Sequence, residues 1–343
     1  MTDGFADFEQ HDYAYVGGLL ARDLVEVRHD VEGLDDSGFW VVVLSFDGDV
    51  TCARFAEVRP AAMPPAPWAG PRRDEWVSSL DRASYCAAVE DVRALIARGE
   101  VYQVNVCRVL SAPTDVTSLR GLASVLATQH PSRFPALVHL PSAGVYVCSA
   151  SPELYLSRDC VDGFDVVETR PIKGTGRLRR DITDKDRAEN VMMVDMARND
   201  LGRVARTGSV DVPKLCEFEE YPGLVHLVST VRAKLVRGVT WGEILLATYP
   251  PASVSGAPKL RALEMIRDLE PVPRGPYCGA IGWVDVDRAR ASLAVGIRTF
   301  WLDAGHLRFG TGAGITWGSN AEAEWAETEL KAELLLAAAS THT

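Results

Sequence analysis

The sequence contains no CxxC pair, no apolar run near the roughly 20 residues needed to cross a bilayer and no internal repeat. Each absence excludes something. The seven cysteines (Cys52, Cys86, Cys107, Cys148, Cys160, Cys216 and Cys278) are odd in number and scattered, so neither a zinc knuckle nor a disulfide framework is expected. They read as reduced, mostly packed thiols. A net charge of -11 argues against nucleic acid as a partner, because phosphate binding generally needs a basic face. The start of the chain is acidic and lacks the basic-then-apolar order of a signal peptide. A cytoplasmic location and no membrane partner are expected. What is present is 343 residues with 47% hydrophobic content, enough for one large core or two intimately packed lobes.

Alternating apolar and β-branched runs at 39–46, 102–110, 136–148, 165–169, 280–286 and 292–301 predict strands. Helical spacing predicts helices over 84–98, 185–198, 241–248, 259–269 and 321–339, the second opened by a capping box at Thr183 and Asp186. The proline- and alanine-rich stretch 60–71 reads as an extended linker. The expected organisation is an N-terminal strand region (1–59), a linker (60–75) and a main body (76–340). Strands in series mixed with helices, without a regular βαβ repeat, favour an α+β fold.

Lys173 sits in the turn RPIKGTG (170–176), directly after a predicted strand. A lysine attacks carbon only if burial or nearby cations lower its pKa from about 10.4. Arg170, Arg177, Arg179 and Arg180 would supply such cations and attract a multiply anionic substrate. On this segment alone, a solvated basic loop is the better reading.

Two helices carry acidic pairs at a spacing of three, Asp186 with Glu189 and Glu324 with Glu327. Each pair shares a face, and a bridging cation would relieve its repulsion; hard oxygen ligands without histidine or cysteine suggest magnesium. Taken singly, each is also an ordinary solvated face, and Glu327 with Lys331 makes a favourable i,i+4 pair. The segment from Gly310 to Ile315, with Gly312 and Gly314, could bring backbone NH groups to an oxyanion, but it lacks the lysine and spacing of a P-loop. His226 is one polar residue in an apolar run, as core histidines often are.

Taken in order, SPELYL (151–156), RPIKGT (170–175), DRAENVMMVDMARNDLGRV (186–204), GLVHLVSTV (223–231), SGAPKLRALEMI (255–266), RGPYCGAIG (274–282), IRT (297–299), GAGI (312–315) and EWAETELK (324–331) resemble the signature blocks of chorismate-utilising enzymes. That family includes anthranilate synthase component I, para-aminobenzoate synthase component I, isochorismate synthases and salicylate synthases. The resemblance implies two packed antiparallel β-sheets flanked by helices, with chorismate and Mg2+ between them. Lysine within PIKGT resembles the para-aminobenzoate branch, where anthranilate and isochorismate enzymes usually have alanine. Gln103 stands where water-adding members have a lysine, which disfavours isochorismate and salicylate production.

The resemblance implies amination of chorismate to 4-amino-4-deoxychorismate, with Lys173 as covalent nucleophile and Glu153 as general acid. It implies Glu189 and Glu327 as direct magnesium ligands, with Asp186 and Glu324 acting through waters. It gives substrate-binding roles to Thr175, His226, Tyr277, Arg298, Gly312, Gly314 and Lys331, with Lys259 a further candidate. No glutaminase-type nucleophile turn is present, so a separate glutamine amidotransferase subunit is expected to supply ammonia. No LLES-type element precedes the first blocks, so feedback by tryptophan is not expected. Anthranilate or aminodeoxyisochorismate synthesis is the rival within enzymes, and a non-catalytic scaffold for the amidotransferase is the rival outside them.

Overall fold

The computed structural model describes residues 10–63, 65–221 and 224–340. Residues 1–9, expected to hold no leader, and Gly223, which opens one of the resembling blocks, lie outside the described residues.

The chain opens with β1 (Tyr13–Val16), β2 (Leu19–Arg28), β3 (Phe39–Leu44) and β4 (Val50–Pro60). Next come β5 (Val77–Ser78), α1 (Arg82–Ala97), β6 (Gln103–Pro113), α2 (Arg120–Gln129), β7 (Phe134–Leu140), β8 (Val145–Ser151), β9 (Leu154–Val161), β10 (Phe164–Arg170), β11 (Ile172–Gly176) and α3 (Asp184–Gly202). Then follow β12 (Asp211–Tyr221), β13 (Leu224–Lys234), α4 (Trp241–Thr248), β14 (Gly256–Ala257), α5 (Lys259–Leu269), β15 (Ala280–Asp285), β16 (Arg290–Val295), β17 (Thr299–Asp303), β18 (His306–Ile315) and α6 (Ala321–Ala339).

The α+β class is observed. Antiparallel hydrogen bonding runs without a break through β12, β13, β10, β9, β16, β15, β3, β4, β2, β1, β7, β8, β17, β18 and β6. The two packed layers are therefore the arms of one curled sheet, joined through β3, β4, β2 and β1. The largest core cluster draws from both arms, setting Val41, Ile281 and Leu293 with Ala136, Val138 and Cys107. Burial of these apolar faces is what closes the curl. The first four strands are thus continuous with the main body, and all seven cysteines are free.

Helices cover the outer faces. α3 lies against β11, β12 and β13, and α6 against β18. α1 and α5 sandwich the start of β6 through Tyr85, Val89, Val92, Ala262 and Ile266. α3 begins at the expected capping box, in which Thr183 Oγ1 accepts from Asp186 N and the Asp186 carboxylate accepts from Thr183 N. α1 starts at Arg82, earlier than the helical spacing suggests, because Asp81 caps it through Ser84 N.

Two predicted strands are each divided. The run 136–148 is broken by a turn at Pro141–Ala143 and by Gly144 at φ +66°, and the run 292–301 is broken before Arg298, itself at φ +52°. α2 escaped sequence reading altogether: no side chain caps it, and Gly121 in its first turn reads as a breaker. That glycine is set by packing, since a side-chain carbon there would lie 2.0 Å from Pro67 O. Beyond Pro60, which ends β4, the described residues of the proline-rich stretch carry no helix or strand and strap α2 and α6, with Trp68 Nε1 donating to Ala339 O at 3.0 Å. Among the described residues no helix is long and apolar enough to cross a membrane.

Candidate active site

Lys173 is placed by an irregularity in β11. Ile172 pairs with Val228 but Thr175 pairs with His226, so one extra residue bulges out between them, and Gly174 accepts the left-handed turn at φ +84°. Burial holds the Lys173 ammonium below its ordinary pKa, Glu189 opposes this, Lys331 adds to the lowering, and Glu153 and Glu327 oppose it. Four residues assigned by resemblance thus surround Lys173. The arginines named from sequence are not among the leading causes of this lowering. Arg170 is paired with Glu219, Arg179 with Glu220 at 2.7 Å, and Arg177 and Arg180 stay exposed. The relevant cation comes instead from α6, far away in sequence.

Glu153 joins β8 to β9 and is 5% exposed. Burial pushes its carboxyl up to about 7, although a hydrogen bond from Ser253, the charge of Lys173 and the NH of Ile172 pull the other way. A carboxyl at that value is half protonated near neutral pH and can serve as an acid. Ser253 was missed by sequence reasoning. It lies just before the SGAPK block, and its carbonyl accepts from Asn105 Nδ2 at 3.2 Å while Gln103 Nε2 donates to Asn105 Oδ1 at 3.1 Å. Gln103 therefore belongs to a buried relay through Asn105 and Ser253 that ends beside the acid.

The acidic pairs are brought to one place by α3 and α6, but each carboxylate already has a partner. Lys185 Nζ lies 3.7 Å from Glu189 Oε1 and 3.6 Å from Glu324 Oε1, bridging the two helices. Glu327 pairs with Lys331 at 2.6 Å, the i,i+4 contact visible in sequence. Asp186 closes the capping box, accepting from Thr183 N at 2.7 Å and Thr183 Oγ1 at 2.6 Å. Burial pushes the Glu189 carboxyl up, against the pull of Lys173 and Lys185.

On the anion side, His226 is buried and its Nδ1 lies 2.8 Å from Thr175 Oγ1, as the β11–β13 register dictates. Burial first, then the charge of Arg298, lowers its pKa to about 4, so the imidazole is neutral at pH 7. Burial also lowers the Arg298 guanidinium, for which no salt-bridge carboxylate is found among the described residues. A half-buried guanidinium without a carboxylate is a ready anion site. Tyr277 sits under Gly310 with its hydroxyl 3.9 Å from Cys107 Sγ, and a side-chain carbon on Gly312 would lie 2.5 Å from that sulfur. Close packing thus accounts for Gly312, and likewise for Gly314, which rests on Gln103 and Asn105. Lys331 also donates to Gly312 O at 3.0 Å. Lys259 lies apart from this group, donating to Asp200 Oδ2 at 2.8 Å and Thr248 O at 2.9 Å, and so fastens α5 to α3 and α4.

The family described as chorismate binding enzyme matches residues 47–337. The chain belongs to this family. It is 37% identical over 276 residues to anthranilate synthase component 1 of Streptomyces coelicolor, covering 77% of this chain and 52% of that protein. It is 36% identical over 273 residues to aminodeoxychorismate synthase component 1 of Salmonella typhimurium, covering 76% and 58%. The chain spans little more than half the length of these relatives. The solved anthranilate synthase component I of Streptococcus pneumoniae superposes with a TM-score of 0.77 at 23% identity, covering 94% of this chain and 92% of that one, a likeness of fold.

The family resemblance implies magnesium, and the donor chemistry here suits it: hard carboxylate oxygens from Glu189, Glu324 and Glu327, with a lysine ammonium standing as a cation between two of them. Among the described residues no three such ligands already form a metal cage. Lys185, another residue that sequence reasoning passed over, is the reason that two of them are engaged elsewhere.

Proposed function

We propose that the chain aminates chorismate, making 4-amino-4-deoxychorismate from ammonia that a separate glutamine amidotransferase supplies. The observation that carries this reading is the pairing of Lys173, held below its ordinary pKa, with Glu153, pushed up to about 7. Burial penalises both charges, so the neutral amine and the protonated carboxyl lie closer in energy to the ion pair than they would in water. That neutral pair is the reactive one. The Lys173 amine bonds to C2 of the ring, both conjugated ring double bonds shift around toward C4, and the C4 hydroxyl leaves as water with the Glu153 proton. Ammonia then bonds to C4, both double bonds shift back as the C2 to nitrogen bond breaks to free Lys173, and the new C4 ammonium returns a proton to Glu153.

Arg298 and neutral His226 would hold the substrate on its anionic side, with Thr175 orienting the imidazole. Glu189 and Glu327, supported by Glu324 and more remotely by Asp186, would hold Mg2+, which when bound supplies positive charge to a substrate carboxylate. Lysine at 173 supports this reading over anthranilate synthesis, although relatives of both names are equally similar.

Incubation with chorismate, Mg2+ and ammonium tests the product. Para-aminobenzoate should form only after aminodeoxychorismate lyase is added, and Lys173→Ala should abolish the amination. Direct appearance of anthranilate fluorescence, or full activity in the Lys173→Ala protein, would overturn the proposal.

A further inference from the structure

Glu324 is 4% exposed, and among the described residues its only ion-pair partner is Lys185. Glu189, one turn along α3 from Lys185, is likewise matched by it. Lys331, the cation next along α6, is engaged with Glu327 and with Gly312 O. A carboxylate buried to this extent without a counter-charge costs several kcal/mol, so the lysine supplies what the two acidic helices need when no metal is present. Half of the Lys185 side chain is exposed, so its stem can swing outward into solvent.

Resting on the reading above that these carboxylates take a divalent cation, we infer that Lys185 is a resident counter-ion competing with that cation for Glu189 and Glu324. Its ammonium lies 3.6 and 3.7 Å from the two carboxylate oxygens, where it would repel a second cation bound to them. Metal binding therefore displaces the lysine, and the apparent metal affinity is reduced by the cost of breaking its two ion pairs. The metal-free protein keeps α3 and α6 bridged, and the loaded protein exchanges one bridge for another.

The test is Mn2+ binding to the intact chain, followed by electron paramagnetic resonance of the free ion, in wild type, Lys185→Gln, Lys185→Arg and Glu327→Gln. Lys185→Gln should bind Mn2+ on the order of fivefold more tightly, the combined worth of its two weak ion pairs at 3.6 and 3.7 Å. Lys185→Arg, which keeps the charge, should stay near wild type. In EDTA, Lys185→Gln should melt below wild type, and the rise in Tm on adding Mn2+ should be larger than in wild type. If wild type binds Mn2+ and Glu327→Gln does not, while Lys185→Gln binds no more tightly than wild type, the competition is overturned and the metal reading stands. If neither wild type nor Lys185→Gln binds Mn2+ at millimolar concentration, both fall. An unchanged Tm of Lys185→Gln in EDTA overturns the bridge between helices.

Discussion

A side-chain carbon built on Gly174 would lie 2.8 Å from the β-carbon of Asp186, so the bulge that carries Lys173 rests its bare α-carbon on the first turn of α3. The N3 residue of the α3 capping box thus also limits the height of the lysine loop. Asp186 cannot give way easily, because its carboxylate is tied to both Thr183 N and Thr183 Oγ1.

Gly174→Ala therefore meets two penalties, a left-handed backbone at φ +84° and a contact too short for two carbons. A loss of roughly 1–3 kcal/mol of stability is expected, measurable by urea unfolding. The amination rate should fall by about a hundredfold, since a displacement near 1 Å at the nucleophile costs that much. Normal activity in this variant would show that the bulge does not position Lys173.

Much of this was legible in sequence where the cause is local. The helices at Trp241–Thr248, Lys259–Leu269 and Ala321–Ala339 stand at the bounds their spacing predicted, and the Thr183 and Asp186 box opens α3 as read. α2 was illegible because its start depends on Gly121 approaching Pro67 O, a tertiary contact. The break before Arg298 was hidden because Val295 and Thr299 on either side both suit a strand. Resemblance named Lys173, Glu153, Glu189, Glu327 and Lys331, and these do gather around one lysine. It gave no sign of Ser253, which meets Glu153 from beyond a turn, or of Lys185, which joins its i,i+4 neighbour Glu189 to Glu324 on another helix.

The raised carboxyl of Glu153 has a stability signature of its own. Its folded pKa of about 7 lies above the ordinary value of 4.5, so between those pH values the folded protein binds the proton that the unfolded chain has released. Stability therefore falls as pH rises from 4.5 to 7. Glu153→Gln removes that loss, on the order of 3 kcal/mol at most. Its Tm should exceed wild type at pH 8 and match it more closely near pH 4.5, while amination drops by about 10² to 10⁴. Equal Tm gains at both pH values would rule out a buried, proton-holding carboxyl.

Arg298 and His226 can be tested as a pair without any turnover. Burial is the larger cause of the low His226 pKa, about 4, and the Arg298 charge is the second. Replacing the guanidinium by an apolar side chain of similar length, Arg298→Met, leaves the burial and removes the charge. The His226 pKa should then rise but stay below 6.5, because the desolvation remains, and two-dimensional NMR of the imidazole would follow it. The same substitution should raise KM for chorismate by roughly ten- to a hundredfold, the loss of one charged hydrogen bond. A parallel Thr175→Val change removes the hydroxyl 2.8 Å from Nδ1 and with it one of the contacts that orient the imidazole. If Arg298→Met leaves the imidazole unmoved, the two side chains do not share one anion site, and the substrate carboxylate must be held elsewhere.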